Sequence, residues 1–261
     1  RGNKSQFAST QEHRQRIVNL IKDYRTLLGQ GVVARFDPET YSDAVAFARI
    51  GEGSLGGKAR GLAFMNSMIL KHRLYDKHAN VRIMIPRSVV IATDYFDDFI
   101  RLNGLKYIIS QEFSDEEILS EFVSSTVPAR LQQELKAYIQ TVRTPLAVRS
   151  SSKLEDSHYQ PFAGIYSTYM IPFTKNEDQM LRLLLRAVKS VYASVYFATS
   201  RAYLSSSQNL ISEEKMAVII QEVCGTEQDG LFFPTFSGVA RSINYYPIGD
   251  EAPADGVCNI A

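Results

Sequence analysis

The chain has 261 residues, 45% of them hydrophobic and 22% charged, with a formal net charge of +1. This is the composition of a soluble globular protein of one large domain or two smaller ones. The near-neutral charge argues against a nucleic-acid or membrane-surface partner, and no apolar run approaches the roughly 20 residues of a membrane-spanning helix.

The first fifty residues, 1–50, predict an N-terminal helical extension. Ser9 to Glu12 form a capping box, and apolar residues recur at helical spacing from Ile17 to Leu28. A glycine-rich turn over residues 51–57 then leads into a second helix. The predicted apolar stripe of that helix consists of Leu62, Met65, Met68 and Ile69.

Two short buried strands are predicted next. They are the segments VRIMIP and SVVIA, which Pro86 separates. Thr93 has a side chain suited to a helix N-cap, so a helix is predicted from this residue to Gly104, a residue type that commonly ends helices.

Residues 105–143 are predicted to be a helical insert. Its first helix opens with a capping box from Ser114 to Glu117, and its second helix begins at Pro128, a residue favoured in the first turn. Beyond the insert, strands are predicted at Leu146–Val148 and Ile165–Ile171.

The last part of the chain changes from helix to strand. A long helix is predicted from Asn176 to about Leu204, and strands follow at Met216–Val223 and Gly238–Ile243. The element order indicates an α/β (α+β) fold, with a mixed part over residues 51–212 and the start of a β-rich part over residues 213–261. The inward face of the long helix is predicted to carry Met180, Leu184, Val188, Val191 and Val195.

The first candidate for chemistry is the sequence Gly56-Gly57-Lys58. Glycines let backbone N–H groups approach an anion, a helix N-terminus adds partial positive charge, and Lys58 adds a full charge. The same residues also fit a tight turn with a solvated lysine. The spacing misses a Walker loop by one residue. Gly51, Gly53 and Gly56 match the dinucleotide fingerprint, but the preceding SDAVAFARI does not read as a clean strand.

The second candidate is Arg149, which follows an apolar strand start. An arginine in this position is either paired with a carboxylate or held ready for an anionic ligand. Glu155 and Asp156 are near enough in sequence to be the internal partner. The Phe162-Ala163-Gly164 turn and Thr168 beyond it could cover a polyphosphate or form a plain hairpin corner.

The remaining candidates give weaker signals. Gln221, Glu222 and Val223 end a predicted strand, where alternating polar groups can hold an adenine edge. The four histidines are scattered without a metal-binding spacing, so no metal ligand is assigned. Cys224 and Cys258 fit neither a metal site nor a disulfide framework, which indicates reduced thiols in a cytoplasmic protein.

Five of these segments occur in an order that resembles one family. GGKARGL, IPRSVVIATDYFDDF, LAVRSSSKLEDSHYQPFAGIYST, MAVIIQEV and GVARSIN together resemble the N-terminal nucleotide-binding module of the phosphoenolpyruvate synthase and pyruvate phosphate dikinase family. The resemblance runs from about Gly51 to Asn244. Its most specific part is the combination of Val-Arg-Ser-Ser, Glu-Asp and Phe-Ala-Gly.

This resemblance implies an ATP-grasp fold that holds ATP between its two parts, with Mg²⁺ ligands near or after the end of this chain. In that family ATP donates its β-phosphate to a histidine on a separate domain, which passes it to pyruvate or another acceptor. The implied partners are ATP and the downstream phosphohistidine and acceptor-binding domains of the same polypeptide. The chain starts without an initiator Met and has no carrier-histidine motif, so we expect a piece of a longer phosphotransferase, inactive alone, whose acceptor is left open.

The resemblance also implies roles for individual residues. Lys58 would contact the phosphates, and Arg149 would hold them and stabilise charge during transfer. Gly164 and Thr168 would lie in a loop that closes over them. The expectation that matters most is that the two cations converge on one polyanion. The residues expected to line the adenine are Gln221, Glu222 and Val223.

Departures from the family pattern keep other hypotheses open. Arg241 stands in place of an aromatic residue, Ile243 where some members have arginine, Tyr245 in place of proline, and Asn259 where an acidic residue is expected. These differences favour a second hypothesis, a non-catalytic nucleotide-sensing or interaction module with the same fold. A third hypothesis, a dinucleotide-binding protein that takes NAD, depends on the glycine fingerprint alone.

Overall fold

A computed structural model describes Arg14, Arg16, Ile17 and residues 33–39, 41, 45–109, 111–152, 164–206 and 214–261. The chain forms two compact units, Arg1–Glu222 and Val223–Ala261. Most of the predicted helix from Ser9 to Leu28 lies outside the described residues. The three described residues within it are helical and exposed.

The described part of the first unit contains the strands β1 (Ala34–Arg35), β2 (Phe47–Ile50), β3 (Ser88–Ile91), β4 (Leu146–Ser152), β5 (Thr168–Ile171) and β6 (Met216–Glu222). They form one sheet in the order β1-β2-β3-β6-β4-β5. Strands β1, β2 and β3 run parallel, whereas β6 is antiparallel to both β3 and β4. Strand β4 therefore runs in the same direction as β2 and β3, and the carboxyl ends of these three strands meet at one edge of the sheet.

Successive side chains of these strands point to opposite faces of the sheet. One face carries the larger core, which includes Val89, Val148 and Val218. The other face carries a smaller cluster, which includes Val90 and Ile219. Strand β6 is apolar on both faces, as expected for a strand buried on both sides.

The described part of the chain contains the helices α1 (Gly56–Lys71), α2 (Thr93–Leu102), α3 (Asp115–Ser124), α4 (Ala129–Ile139), α5 (Glu177–Ala193) and α6 (Ala198–Ser206). Helix α1 covers the smaller cluster through Ala59, whereas α2 to α5 contribute to the larger core. The predicted capping box of α3 is confirmed. The Ser114 hydroxyl accepts a hydrogen bond from Glu117 N, and the Glu117 carboxylate accepts one from Ser114 N.

Three local predictions are wrong. Residues 81–86 do not form a strand, and Val81 makes only an isolated bridge with His78. Thr93 is the first residue of α2 rather than its cap, since its hydroxyl accepts a hydrogen bond from Ser54 N instead. Met65 is exposed rather than part of the buried stripe of α1.

The long helix predicted from Asn176 to Leu204 is interrupted. Helix α5 ends at Ala193, a 3₁₀ turn follows at Ser194–Tyr196, and α6 completes the segment. The interruption lets Ser200 donate to the Ser194 carbonyl in the interior. The predicted inward residues are nonetheless all buried: Met180, Leu184, Val188, Val191 and Val195.

The strands of the main sheet extend past both boundaries that we predicted between parts of the chain. Within residues 1–50, β1 and β2 are strands of the main sheet and not helical. At the other end, β6 lies between β3 and β4, so the compact units divide after Glu222 and not near residue 212. We predicted an earlier boundary because the sequence changes from helix to strand just before β6.

The second unit contains β7 (Thr226–Gln228), β8 (Leu231–Phe233), β9 (Gly238–Arg241) and β10 (Val257–Ile260). They form two antiparallel pairs, β7 with β8 and β9 with β10. Asp229 and Gly230 join the first pair with φ values of 52° and 78°. Positive φ at both central residues is typical of a two-residue hairpin turn, for which Asp-Gly is a preferred sequence.

Candidate functional site

The carboxyl edge of the sheet brings the start of α1 against β4. Gly56 has a φ of +73°, and a Cβ atom at this position would lie 1.7 Å from the Ser151 carbonyl oxygen. Only glycine tolerates both the backbone angle and this approach. Gly56, which the sequence offered as part of an anion-binding turn, thus has a packing reason as well.

Ser151 fixes the first turn of α1 on the strand. Its buried hydroxyl donates to the Leu55 carbonyl oxygen at 2.7 Å and accepts from Ala59 N at 3.0 Å. Both hydrogen-bonding directions of one hydroxyl are therefore used on the helix start. Lys58 is held between these two contact points.

Lys58 reaches β4 at Ser150, whose side chain points to the opposite face of the sheet from that of Arg149. Lys58 Nζ donates to Ser150 Oγ at 3.2 Å, and Ser150 directly follows Arg149. Arg149 faces the side of the sheet that α1 covers, since its register partner is Ile219 of the smaller cluster. Within the described residues, the Arg149 guanidinium makes no hydrogen bond or ion pair. Glu155 and Asp156, weighed as its partners, lie outside the described residues.

On the sheet face that carries Arg149, two sets of register partners lie side by side across neighbouring strands. Arg149 lies opposite Thr168 of β5, and in the next row Ala147 lies opposite both Met170 and Gln221. Thr168 is exposed, and Met170 is 62% exposed. The sheet thus brings Arg149, Thr168 and Gln221 to one face, with an open apolar floor between them.

Gln221 and Glu222 point to opposite faces. Gln221 Nε2 donates to Ser88 Oγ at 3.2 Å on the α1 side. Glu222 instead accepts from Arg87 Nε at 2.6 Å on the side of the larger core. The structure therefore does not bring the Glu222 side chain to the face that carries Arg149.

Arg87 is a residue that sequence reasoning missed. Its guanidinium also donates to the Thr141 carbonyl oxygen at 3.1 Å and lies 5.6 Å from the ring centre of Tyr41. The side chains of Arg87 and Glu222 are only 11% and 16% exposed. Tyr138 is buried nearby, and burial raises the pKa of its hydroxyl. The available signal was a charged residue directly before a fully buried strand, which indicates a paired ion.

A buried carboxylate, Glu214, was also missed. Ser152 Oγ donates to Glu214 Oε1, and the Tyr166 hydroxyl donates to the same oxygen at 3.4 Å. Ser152 is the last residue of β4 and lies opposite Met216. The buried acid is satisfied by hydroxyl donors, as buried polar groups usually are.

The remaining predicted residues are less constrained. Gly164 has a φ of +81°, and a Cβ there would meet nothing within 4 Å. Its neighbours Phe162 and Ala163 lie outside the described residues. Val223 begins the second unit.

The glycine fingerprint has an internal explanation. Glu52 N and Gly53 N donate to the two carboxylate oxygens of Asp94 at 2.9 and 3.1 Å. A Cβ at Gly51 would lie 2.5 Å from Asp94 Oδ1, and one at Gly53 would lie 2.6 Å from Asp94 N. The glycines therefore admit a protein carboxylate, although β2 does precede them as a strand, contrary to our prediction.

In the described part of the chain, no group of three or more His, Cys, Asp or Glu side chains is placed to hold a metal ion. Cys224 and Cys258 are exposed and free. None of the described helices is long and apolar enough to cross a membrane.

Residues 52–259 match the model of the pyruvate phosphate dikinase AMP/ATP-binding domain. The chain belongs to this family. Two similar proteins are the uncharacterized phosphotransferase YvkC of Bacillus subtilis, 28% identical over 193 residues, and the phosphoenolpyruvate synthase of Aeropyrum pernix, 25% identical over 200 residues. The alignments cover 73% and 69% of this chain, but 20% and 22% of those proteins. The chain thus spans about a fifth of the length of the curated relatives it matches.

The resemblance of the five sequence segments to the pyruvate phosphate dikinase family is therefore confirmed. The departures from its pattern lie in the second unit. Arg241 is an exposed residue of β9, Ile243 and Tyr245 are exposed just beyond it, and Asn259 of β10 lies opposite Val239. The segment between β6 and β9 contains the β7–β8 hairpin.

Proposed function

We propose that this domain binds ATP and presents its β-phosphate to a histidine on another domain of the same polypeptide, as part of a dikinase-type phosphotransferase. The observation that supports it best is the contact of Lys58 Nζ with Ser150, directly beside Arg149. Lys58 of α1 and Arg149 of β4 are distant in sequence, but both lie near the carboxyl end of β4. A triphosphate is the polyanion for which such a pair, next to a helix start, is suited.

The proposal gives each residue a limited task. Lys58 and Arg149 hold the phosphates and offset the charge that develops as the phosphoryl group leaves, because phosphoryl transfer needs mainly positioning and positive charge. Thr168 contacts the phosphates from β5, opposite Arg149, and Gly164 belongs to the loop that closes over them. Gln221 meets the base, with the backbone of Glu222 and Val223 beside it.

Magnesium is part of the proposal only as the companion of ATP. The described residues provide no cluster of metal ligands, so no step of the reaction is assigned to a metal here. The charge that this chain contributes comes from its own lysine and arginine. We place the protein in the cytoplasm, which the two free, exposed cysteines support because thiols persist in reducing compartments.

ATP titration calorimetry on the protein and two variants tests the nucleotide site. Lys58→Ala and Arg149→Ala should each weaken ATP binding about tenfold or more, since each removes a charge-assisted contact of roughly 1.5–3 kcal/mol. Lys71→Ala is the matched lysine control, because it lies at the far end of α1. Arg101→Ala is the matched arginine control on α2. Unchanged affinity in both Lys58 and Arg149 variants rules the site out.

The transfer step needs a separate experiment. The whole polypeptide is incubated with ATP labelled at the β-phosphate, and an acid-labile, base-stable protein label is expected. The alternative is a nucleotide-sensing or interaction module, which the changed residues Arg241, Tyr245 and Asn259 favour. A protein that binds ATP through Lys58 but never acquires the label supports that alternative.

A further inference from the structure

The side-chain amide of Gln221 is held in one orientation. Ser88 Oγ donates to the Pro86 carbonyl oxygen at 2.9 Å, and Gln221 Nε2 lies 3.2 Å from Ser88 Oγ. A serine hydroxyl has one hydrogen, which here points to Pro86. Ser88 can therefore only accept from Gln221, so the amide nitrogen and not the amide oxygen must face it.

This arrangement leaves an acceptor on the face that carries Arg149. Gln221 Oε1 receives no hydrogen bond within the described residues. Ser88 is fully buried in β3, whereas Gln221 is half-buried. The buried serine thus decides which polar atom of the half-buried glutamine remains available to a ligand.

An apolar floor lies beside this acceptor. Ala147 is the register partner of Gln221 on one side and of Met170 on the other. Met170 is 62% exposed, although it lies in a strand of the main sheet. A methionine thioether makes favourable contacts with aromatic rings. Three adjacent strands place these side chains within about 10 Å of one another.

The residues proposed to contact the phosphates lie next to this apolar floor. Arg149 and Thr168 occupy the same face as Ala147 and Met170, two positions along β4 and β5. That offset corresponds to about 7 Å along the strands. A base on the floor would therefore have its phosphates directed toward Arg149.

We propose that Ser88 makes this site selective for a purine that carries an amine at carbon 6, with Met170 and Ala147 as the platform for its ring. The inference rests on the proposed function. Adenine presents a hydrogen-bond donor at carbon 6, whereas guanine presents an acceptor there. Gln221 Oε1 accepts from the adenine amine but faces the guanine oxygen as a second acceptor. Ser88 touches no ligand itself and acts as a positioning residue.

The test compares the dissociation constants of ATP and GTP for the protein and for Ser88→Ala. The protein should prefer ATP about tenfold or more, because an acceptor left without its donor costs roughly 1–3 kcal/mol. Removing the Ser88 hydroxyl lets the amide turn over, so GTP binding should tighten and the preference should fall severalfold. Ser88→Thr keeps a hydroxyl and should restore the preference. An unchanged ATP-to-GTP ratio in Ser88→Ala, or equal binding of both nucleotides by the protein, overturns the inference.

A second pair of variants keeps the test decisive if changes at Ser88 impair folding. Gln221→Leu removes the acceptor and should also abolish the preference. Met170→Ala should weaken ATP and GTP by the same factor, about tenfold. Leu102→Ala is its control, because Leu102 is similarly exposed but lies on α2. A preference that survives Gln221→Leu, or ATP affinity that is unaffected by Met170→Ala, contradicts the assignment.

The outcomes separate this inference from the proposed function. If Lys58→Ala and Arg149→Ala leave ATP affinity unchanged, the proposed function fails. If they weaken it while Ser88 and Gln221 variants keep the ATP-to-GTP ratio, only the present inference fails. A protein that binds neither nucleotide overturns both.

Discussion

Lys58 Nζ and Ser150 Oγ lie 3.2 Å apart, although 92 positions separate the two residues in the sequence. The contact brings the first turn of α1 to the end of β4. It depends on Gly56 and Ser151, which hold that turn against the strand. The position of the lysine is therefore set by groups that would not themselves touch a ligand.

Ser151→Ala should destabilise the protein and weaken ATP binding together. The change leaves the Leu55 carbonyl and Ala59 N–H without their partner in a buried setting, which should cost about 1–3 kcal/mol of unfolding free energy. Urea denaturation measures the first effect and calorimetry the second. Ser124→Ala on the exposed surface of α3 should change the unfolding free energy by less than about 0.5 kcal/mol. A Ser151→Ala protein as stable as the parent would contradict the prediction.

Two glycines of the same helix should respond in opposite directions. Gly56→Ala places a Cβ against the Ser151 carbonyl at a positive φ and should lower stability by at least about 2–3 kcal/mol. Gly61→Ala meets nothing within 4 Å and should raise stability by about 0.5–1 kcal/mol, since alanine favours helix. Thermal unfolding of both variants checks the pair. Equal effects would show that the start of α1 is not packed as described.

Breaking the Arg87–Glu222 pair should be costly from either side. Arg87→Met leaves the mostly buried Glu222 carboxylate without its charged partner, which should cost about 2–4 kcal/mol. Glu222→Leu leaves the mostly buried Arg87 guanidinium without its carboxylate partner. The double variant should recover part of the loss, with a coupling of about 1–3 kcal/mol in a double-mutant cycle. Strict additivity of the two single changes would argue against a direct pair.

The capping box of α3 should add an acid-sensitive component to stability. The Glu117 carboxylate accepts a hydrogen bond from Ser114 N, and this lowers the pKa of Glu117 below its ordinary value. A carboxyl group with a lowered pKa in the folded state stabilises that state above its unfolded pKa, about 4.3. The contribution is lost as pH falls through the lower folded value.

Glu117→Gln provides the comparison, because the amide can occupy the same box but does not titrate. Urea midpoints between about pH 3 and pH 6 should fall more steeply on acidification for the parent than for the variant. Parallel curves for the two proteins would rule out a titrating cap.

Periodic segments with clear end signals were predictable from the sequence. The capping box of Ser114 and the inward face of α5 follow from local patterns and were found as predicted. Short strands were harder. Phe47–Ile50 is four residues long and follows mixed residues, whereas residues 81–86 look like a strand but pair with no strand of the sheet. Pairing is a property of the whole sheet, which a local pattern does not contain.

The candidate site likewise contains residues that the sequence predicted and residues that only the sheet pairing reveals. Lys58, Arg149 and Gln221 lie in recognisable segments, and the register brings the last two to one face. The opposite direction of Glu222 follows from alternation along β6, but its pairing with Arg87 joins positions 135 apart. Ser88 and Met170 are related to Gln221 only through the sheet register, because Ser88 lies opposite Gln221 and Ala147 lies between Gln221 and Met170.

The Asp94 carboxylate already occupies the backbone N–H groups of Glu52 and Gly53. The loop before α1 therefore takes its shape without any external anion. If ATP binds at Lys58 as proposed, it meets a preassembled turn and loses little affinity to ordering it. Because the Asp94 carboxylate accepts from these two N–H groups, neither of them is left to donate to a bound phosphate.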